Sequence, residues 1–163
     1  MKLGSALESL RRSVDDLAGE LRATGERHAV QHDLFHMGRT LSVRVEQLAI
    51  SLDPFLEAYG QQTGPEGSDA LRTVSEKVRR GTSALTGRSG RTGLLLLHDL
   101  RELVVKVSGV EVDWMIVRQG AMAARDDALV TATEVGLEET RRVSRWLATR
   151  IKEASPQILM AMD

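Results

Sequence analysis

The stretch LGSALESLRRSVDDLAGEL, residues 3–21, decides the fold that the sequence predicts. Its apolar side chains recur at alternating steps of four and three residues, so they share one face of an α-helix. A helix with one apolar stripe must bury that stripe against other elements. We therefore predict a first helix, near residues 3–24, that belongs to a helical bundle. Its seam consists of Leu3, Leu7, Leu10, Val14, Leu17 and Leu21.

Three further segments repeat this rhythm, and no segment shows a convincing strand pattern. We predict helices near residues 28–59, 94–120 and 126–154, within a single all-α domain that spans residues 1–163. Pro54 predicts a kink or an early helix end near residues 50–54. Gly120 predicts the end of the third helix and Ser155-Pro156 the end of the fourth.

The connection between the second and third helices, residues 60–93, is long and rich in glycine, with a short helix predicted around residues 69–80. A helix of about 28 residues spans roughly 42 Å, and a connection of this length can run back along it. This favours two helical hairpins joined by one long crossover. A simple up-down-up-down bundle with a floppy insertion remains the alternative.

Two phrases, SVRVEQLAISLDPFLEAYG at residues 42–60 and GLEETRRVSRWLATRIKEASPQ at residues 136–157, resemble the second and fourth helices of short ferritin-like proteins. The resemblance covers most of the chain through its helix pattern. It implies a ferritin-like antiparallel four-helix bundle with one long crossover connection.

This chain differs from that superfamily in its potential metal ligands. Its enzymatic members hold a di-iron or di-manganese centre with inward glutamates and two Glu-x-x-His pairs. This chain contains no Glu-x-x-His, and the nearest substitute, Asp33-x-x-His36, occurs once. The resemblance places Arg44 and Leu137 where a ligand histidine is expected, and neither side chain coordinates a metal. It therefore implies a ferritin-like scaffold without the usual dinuclear centre.

Composition excludes several classes of function. The chain has 163 residues, a formal net charge of -1 and no cysteine, which rules out disulfides, thiolate metal sites and cysteine nucleophiles. The near-neutral charge predicts no general attraction to nucleic acid. The first residues lack the apolar core of a signal peptide, and the longest aliphatic run, residues 94–97, is far too short to cross a bilayer. We expect a cytoplasmic protein without a membrane partner.

Three of the four histidines lie in HAVQHDLFH, residues 28–36, at spacings of four, which is typical of one helix face. A divalent metal site built from nitrogen and oxygen ligands is one interpretation, and ordinary surface or half-buried histidines near a helix end are the other. The candidate ligands are His32, His36, Asp33, His98 and Glu102, with His28 and Asp99 as further donors.

Other charged residues suggest structural or binding roles. Asp113 flanks Trp114 in an apolar stretch, where a carboxylate needs a partner or shifts its pKa upward. We expect an ion pair with Arg39, Arg44 or Arg118, and a ligand or acid-base role is the alternative. Candidates for binding a partner are the cations of the crossover and the apolar tail: Arg79, Arg80, Arg88, Arg91, Met160 and Met162.

No catalytic triad, nucleophile elbow or phosphate loop is present in the sequence. The leading hypothesis is a non-catalytic binding or scaffold protein without a cofactor that forms a homo-oligomer, most simply a dimer, or binds another protein. One alternative is a metal-binding redox or storage protein with an atypical His/Asp/Glu site. Another is a small-molecule sensor that holds an apolar ligand between helices around Trp114 and Trp146.

Overall fold

A computed structural model describes residues 2–60 and 89–161, which are almost entirely helical and contain no strand. The connection predicted at residues 60–93, with its short helix, lies mostly outside the described residues. The helices are α1 (Lys2–Arg27), α2 (His32–Ser51), α3 (Asp53–Gly60), α4 (Ser89–Ala124) and α5 (Asp127–Leu159).

The second predicted helix is divided into α2 and α3 at Leu52, where Pro54 predicts an interruption. Pro54 stands in the first turn of α3, where its missing N–H is no loss because the first N–H groups of a helix have no partner within it. Leu52 itself is fully buried, so the break still contributes to the core. Arg11 of α1 donates to Asp53 at the start of α3 over 2.9 Å.

Contacts between helix ends give the direction of each helix. The start of α1 lies beside the ends of α3 and α4, because a Cβ added at Gly4 would approach the carbonyl oxygen of Tyr59 and one at Gly120 would approach Leu3. At the other end of the bundle, Arg27 of α1 binds Asp99 near the start of α4. Helix α1 is therefore antiparallel both to the α2–α3 pair and to α4.

Helix α5 is antiparallel to both α2 and α4. Its last turns lie beside the start of α2, where Arg150 pairs with Asp33. Its first half lies beside the second half of α4, where Arg118 pairs with Glu134. It follows that α2 and α4 run in the same direction, and that Gly60 and Ser89 lie at opposite ends of the bundle.

One hydrophobic cluster fills the space between the helices. The seam predicted for α1 is buried except for its first member, Leu3, which is half-buried. On α4 the buried positions include Leu96 and Leu103, whereas the adjacent Leu97 and Val104 are half-buried. The largest buried side chain is Trp114, which is fully inaccessible.

Three helices end later in the chain than the sequence predicts. Helix α1 continues past Gly25 to Arg27, and α4 continues past Gly120 to Ala124. Both glycines serve helix packing: a Cβ at Gly120 would lie 2.8 Å from Cδ1 of Leu3. The prediction that Ser155-Pro156 ends the last helix is wrong, since α5 runs through Pro156 to Leu159.

None of the helices in the described ranges has the length and apolar character needed to span a membrane.

Candidate functional site

A buried ion pair links α1 to α4 at the end of the bundle where the HAVQHDLFH segment lies. Nε2 of His28 donates to Oδ2 of Asp99 over 2.8 Å, and Nη1 of Arg27 donates to the same oxygen over 2.7 Å. The His28 and Asp99 side chains are 3% and 8% exposed, whereas Arg27 is 36% exposed and reaches solvent. One carboxylate oxygen therefore holds the last turn of α1 and the first residue after it.

The charge of Asp99 depends on these donors. Burial by itself raises the pKa of the carboxyl, but the hydrogen bonds from His28 and Arg27 and the charge of Arg27 outweigh it, so the pKa lies below its usual range. Asp99 is thus a stable carboxylate rather than a proton donor near neutral pH. Its position between two helices fits a structural ion pair that fastens α4 to α1.

The five main candidates for metal ligands are all exposed, and in the described ranges no three His, Asp or Glu side chains form a group that could hold a metal ion. The rings of His32 and His36 stack at 6.3 Å between centroids on the solvent side of α2. Asp33 accepts from the backbone N–H of Leu34 over 2.9 Å and pairs with Arg150 of α5. These contacts fasten the start of α2.

The other two candidate ligands lie on α4. His98 is exposed on its outward side, and Glu102 pairs with its neighbour Arg101. Of the histidine and acid candidates named from the sequence, the structure brings together His28 and Asp99, the two that stood outside the main set. The spacing predicted one helix face for the three histidines, but α1 ends at Arg27 and α2 begins at His32, so His28 lies in the turn between the two helices. The packing of α1 on α4 determined that His28 faces an acid.

The ion pair expected between Asp113 and Arg44 does not form. Arg44 is 58% exposed and lies 3.9 Å from Glu139 of α5, and Arg118 pairs with Glu134 over 2.6 Å. Asp113 is half-buried at the edge between α4 and α1, where it lines a shallow groove of about 150 Å³ together with Lys106.

In the small-molecule sensor alternative, an apolar ligand lies between the helices around Trp114 and Trp146. A Cβ added at Gly136 of α5 would lie 2.4 Å from the indole ring, so the ring occupies the space that any larger residue would need. Trp146 is half-buried and packs against the core from its edge. The shallow groove described above is lined by residues of α1 and α4, and neither tryptophan borders it.

The solvent side of α4 carries an unexpected apolar surface. Twelve large hydrophobic side chains are exposed among the described residues, and six belong to α4, so this helix is apolar on both its inner and outer sides. We define the outer face of α4 as its exposed, uncharged residues over four turns: Val105, Ser108, Gly109, Val112, Met115, Ile116 and Gln119. The outward side of α5 differs, with Glu138, Arg142 and Arg145 in ion pairs.

Charged residues border this face on both long edges. Lys106 and Asp113 stand on the edge toward α1, where both line the shallow groove. Arg118, paired with Glu134, stands on the edge toward α5. The outer face of α4, uncharged at its centre and charged at its rim, therefore has the anatomy of a protein interaction surface.

Sequence reasoning did not identify this surface, although a signal for it exists. Val105, Val112 and Ile116 fall outside the inward seam of α4 and recur at steps of seven and four, which places them on one second face. None of the predicted partner-binding residues belongs to this face as defined. Met160 is 79% exposed beyond the end of α5. The side chains of Arg79, Arg80, Arg88, Arg91 and Met162 lie outside what the structure describes.

Comparison of the chain with protein-family models, with curated proteins and with solved structures gave no match.

Proposed function

We propose that this chain is a non-catalytic binding or scaffold protein of ferritin-like topology that associates with a second copy of itself. The observation that carries the proposal is the outer face of α4. Apolar side chains left in water favour association, and burial of each square ångström contributes roughly 25 cal/mol. Val105 and Ile116 alone remain 56% and 55% exposed in the single chain.

The helix directions support the ferritin-like part of the proposal. Helices α1 and α2 form one antiparallel hairpin, and α4 and α5 form another. Because α2 and α4 run in the same direction, the chain between Gly60 and Ser89 has to connect opposite ends of the bundle. An up-down-up-down bundle would instead place these two residues at the same end.

The buried polar groups support a scaffold rather than an enzyme. Asp99 is engaged by His28 and Arg27 as a bridge between two helices, and the lowered pKa of its carboxyl suits an ion pair better than a proton carrier. Beside Gly136, the indole ring of Trp114 itself takes up the space that an apolar ligand would need.

The test is sedimentation equilibrium of the untagged full chain over a wide concentration range, comparing wild type with Val112→Glu and Val43→Glu. The two valines are equally exposed, at 48% and 49%, and both lie inside helices, so they form a matched pair. We expect wild type and Val43→Glu to form dimers and Val112→Glu to remain monomeric, because a carboxylate at the centre of the face would have to be desolvated. A monomeric wild type would refute the proposal of self-association.

A further inference from the structure

We infer that two copies of the chain meet through the outer faces of their α4 helices in an antiparallel, twofold-symmetric contact centred near residues 110–111. This inference rests on the proposed self-association and specifies its geometry. Three features of α4 carry it: the order of charges along one edge, an exposed glycine at the centre, and the spacing of the large apolar side chains.

The charge order along the edge facing α1 favours an antiparallel pair. Lys106 and Asp113 are seven residues apart, two helical turns, so they stand on the same edge about 10 Å from each other. Within the ranges that the structure describes, neither forms an ion pair. An antiparallel twofold contact places Lys106 of each copy near Asp113 of the other and creates two symmetric ion pairs. A parallel twofold contact would instead set the edge facing α1 of one copy against the edge facing α5 of the other, so neither of these two ion pairs would form.

Gly109 suggests where the two helices approach most closely. A glycine inside a helix costs about 1 kcal/mol relative to alanine. Nothing lies within 4 Å of a Cβ added at Gly109, so packing within this chain does not require the glycine. In the antiparallel contact, Gly109 lies opposite Val112 of the second copy, where the absent side chain leaves room for a valine.

The midpoint between Lys106 and Asp113 lies within one residue of the register that matches the remaining large side chains. With the twofold axis beside residues 110–111, Val105 of one copy lies opposite Ile116 of the other, and the pairing repeats by symmetry. Apolar side chains thus meet along the middle of the contact while Lys106 and Asp113 close one rim. Small interfaces are typical of weak, reversible complexes, so for a contact through a single helix face we expect a dissociation constant in the micromolar range.

The register is tested by disulfide trapping, which is clean because the chain contains no cysteine of its own. Val105→Cys and Ile116→Cys variants of the full chain are mixed at equal concentration, oxidised, and separated on a non-reducing gel after one of them has been given a mass tag. Both positions are exposed, and circular dichroism verifies folding. We expect the mixed 105–116 disulfide to exceed both homodimers at least tenfold, because only that pair lies within the ~4 Å between Cβ atoms that a disulfide needs.

The control mixes Val43→Cys with Val135→Cys, two exposed positions off the outer face of α4, and we expect only background crosslinking from it. A second experiment uses Lys106→Asp and the double variant Lys106→Asp/Asp113→Lys. We expect the single change to raise the dimer dissociation constant about tenfold, because two like-charge contacts replace two ion pairs, and the double change to restore it to within about threefold.

The outcomes separate this inference from the proposed function. Predominant 105–105 and 116–116 disulfides, or crosslinking no stronger than the control in a chain that sediments as a dimer, would overturn the antiparallel register and leave self-association standing. Absence of rescue by the double charge reversal would contradict the same register. A wild-type chain that sediments as a monomer would instead remove the proposed function and this inference together.

Discussion

Gly25 and Gly38 bring α1 and α2 into backbone contact at one end of the bundle. A Cβ at Gly38 would lie 2.9 Å from the carbonyl oxygen of Leu21 and 3.2 Å from Cα of Gly25. These neighbours are backbone atoms, so they cannot turn aside as a flexible side chain does. The close approach depends on the absence of both side chains. Glycine inside a helix lowers the stability of the helix, but only glycine leaves room for this contact.

We expect Gly38→Ala to lower the free energy of unfolding by about 2 kcal/mol, since overpacking forces the two helices apart. Gly19→Ala is the matched control: this glycine also lies inside α1, but a Cβ there meets nothing within 4 Å. We expect the control to raise stability by about 0.5–1 kcal/mol through helix propensity. Urea denaturation of both variants measures the difference, and equal effects would contradict the packing argument.

Asp99 illustrates how a buried acid depends on its donors. Replacing it with asparagine removes the charge but preserves the shape, and it leaves Arg27 and His28 without their carboxylate. We expect Asp99→Asn to lower the free energy of unfolding at pH 7 by about 3 kcal/mol, as for other broken buried pairs. Asp15→Asn is the comparison, because Asp15 pairs with Arg11 at an exposed position and should change stability by less than about 1 kcal/mol.

The difference in the free energy of unfolding between wild type and Asp99→Asn should shrink as the pH falls. Because the pKa of Asp99 is lower in the folded chain than in the unfolded chain, its contribution is complete above the unfolded value, about 4. It is lost as pH falls through the folded value. Denaturation curves of wild type and Asp99→Asn should therefore converge below about pH 4. A difference that stays constant down to pH 2 would show that the carboxylate charge is not its source.

At the scale of elements, the turn between α4 and α5 is built from two consecutive residues with opposite roles. Arg125 adopts a left-handed backbone with φ of 57°, and the N–H groups of Arg125 and Asp126 bind the carbonyl oxygens of Met122 and Ala121. This is a Schellman motif, with arginine in the position that glycine usually occupies. Asp126 then begins α5 by accepting the N–H of Leu129 over 2.9 Å.

The same aspartate ties this turn to α3. The hydroxyl of Tyr59 donates to Oδ2 of Asp126 over 2.8 Å. The backbone N–H of Leu129 first, and then the Tyr59 hydroxyl, hold the pKa of Asp126 below its usual range, and the pKa of Tyr59 is raised because its proton is bound by the carboxylate. One side chain thus caps a helix and fastens the end of its neighbour.

We expect Asp126→Ala to lower the free energy of unfolding by about 1–2 kcal/mol, through loss of the helix cap and of the Tyr59 contact. Asp126→Asn keeps an oxygen for the N–H of Leu129 and should stay within about 0.5 kcal/mol of wild type at neutral pH. Thermal unfolding followed by circular dichroism compares the two. If the alanine and asparagine variants lost stability equally, capping would not be the function of this residue.

At the scale of the whole molecule, the outer face of α4 links stability to concentration. If the folded chain dimerises and the unfolded chain does not, mass action raises the unfolding temperature as the protein is concentrated. We expect a 100-fold rise in concentration to raise the Tm of wild type by about 3 °C or more. The Tm of Val112→Glu should stay constant. Scanning calorimetry measures both, and a concentration-independent wild type would contradict a folded-state dimer.

Much of the helical architecture follows from local pattern. The 3–4 spacing of leucine and valine predicts amphipathic helices, Pro54 predicts the break at Leu52, and Asp126-Asp127 indicates the start of α5. These features depend on neighbours in the sequence, because helix periodicity, capping and proline geometry act over one or two turns. Glycine was less informative: Gly120 resembled a helix end, but it lies inside a helix where another chain segment passes closely.

The candidate sites depended on distant neighbours. The sequence by itself determined that His32 and His36 share a face near the start of α2 and that α4 is rich in apolar residues. Only the tertiary structure decided that His28, rather than His32 or His36, faces an acid, and that Asp99 is that acid. It also decided which apolar side of α4 is covered and which is left exposed. The physical reason is that burial is a property of pairs of elements: the periodicity of one helix defines its faces, but its neighbours determine which face loses contact with water.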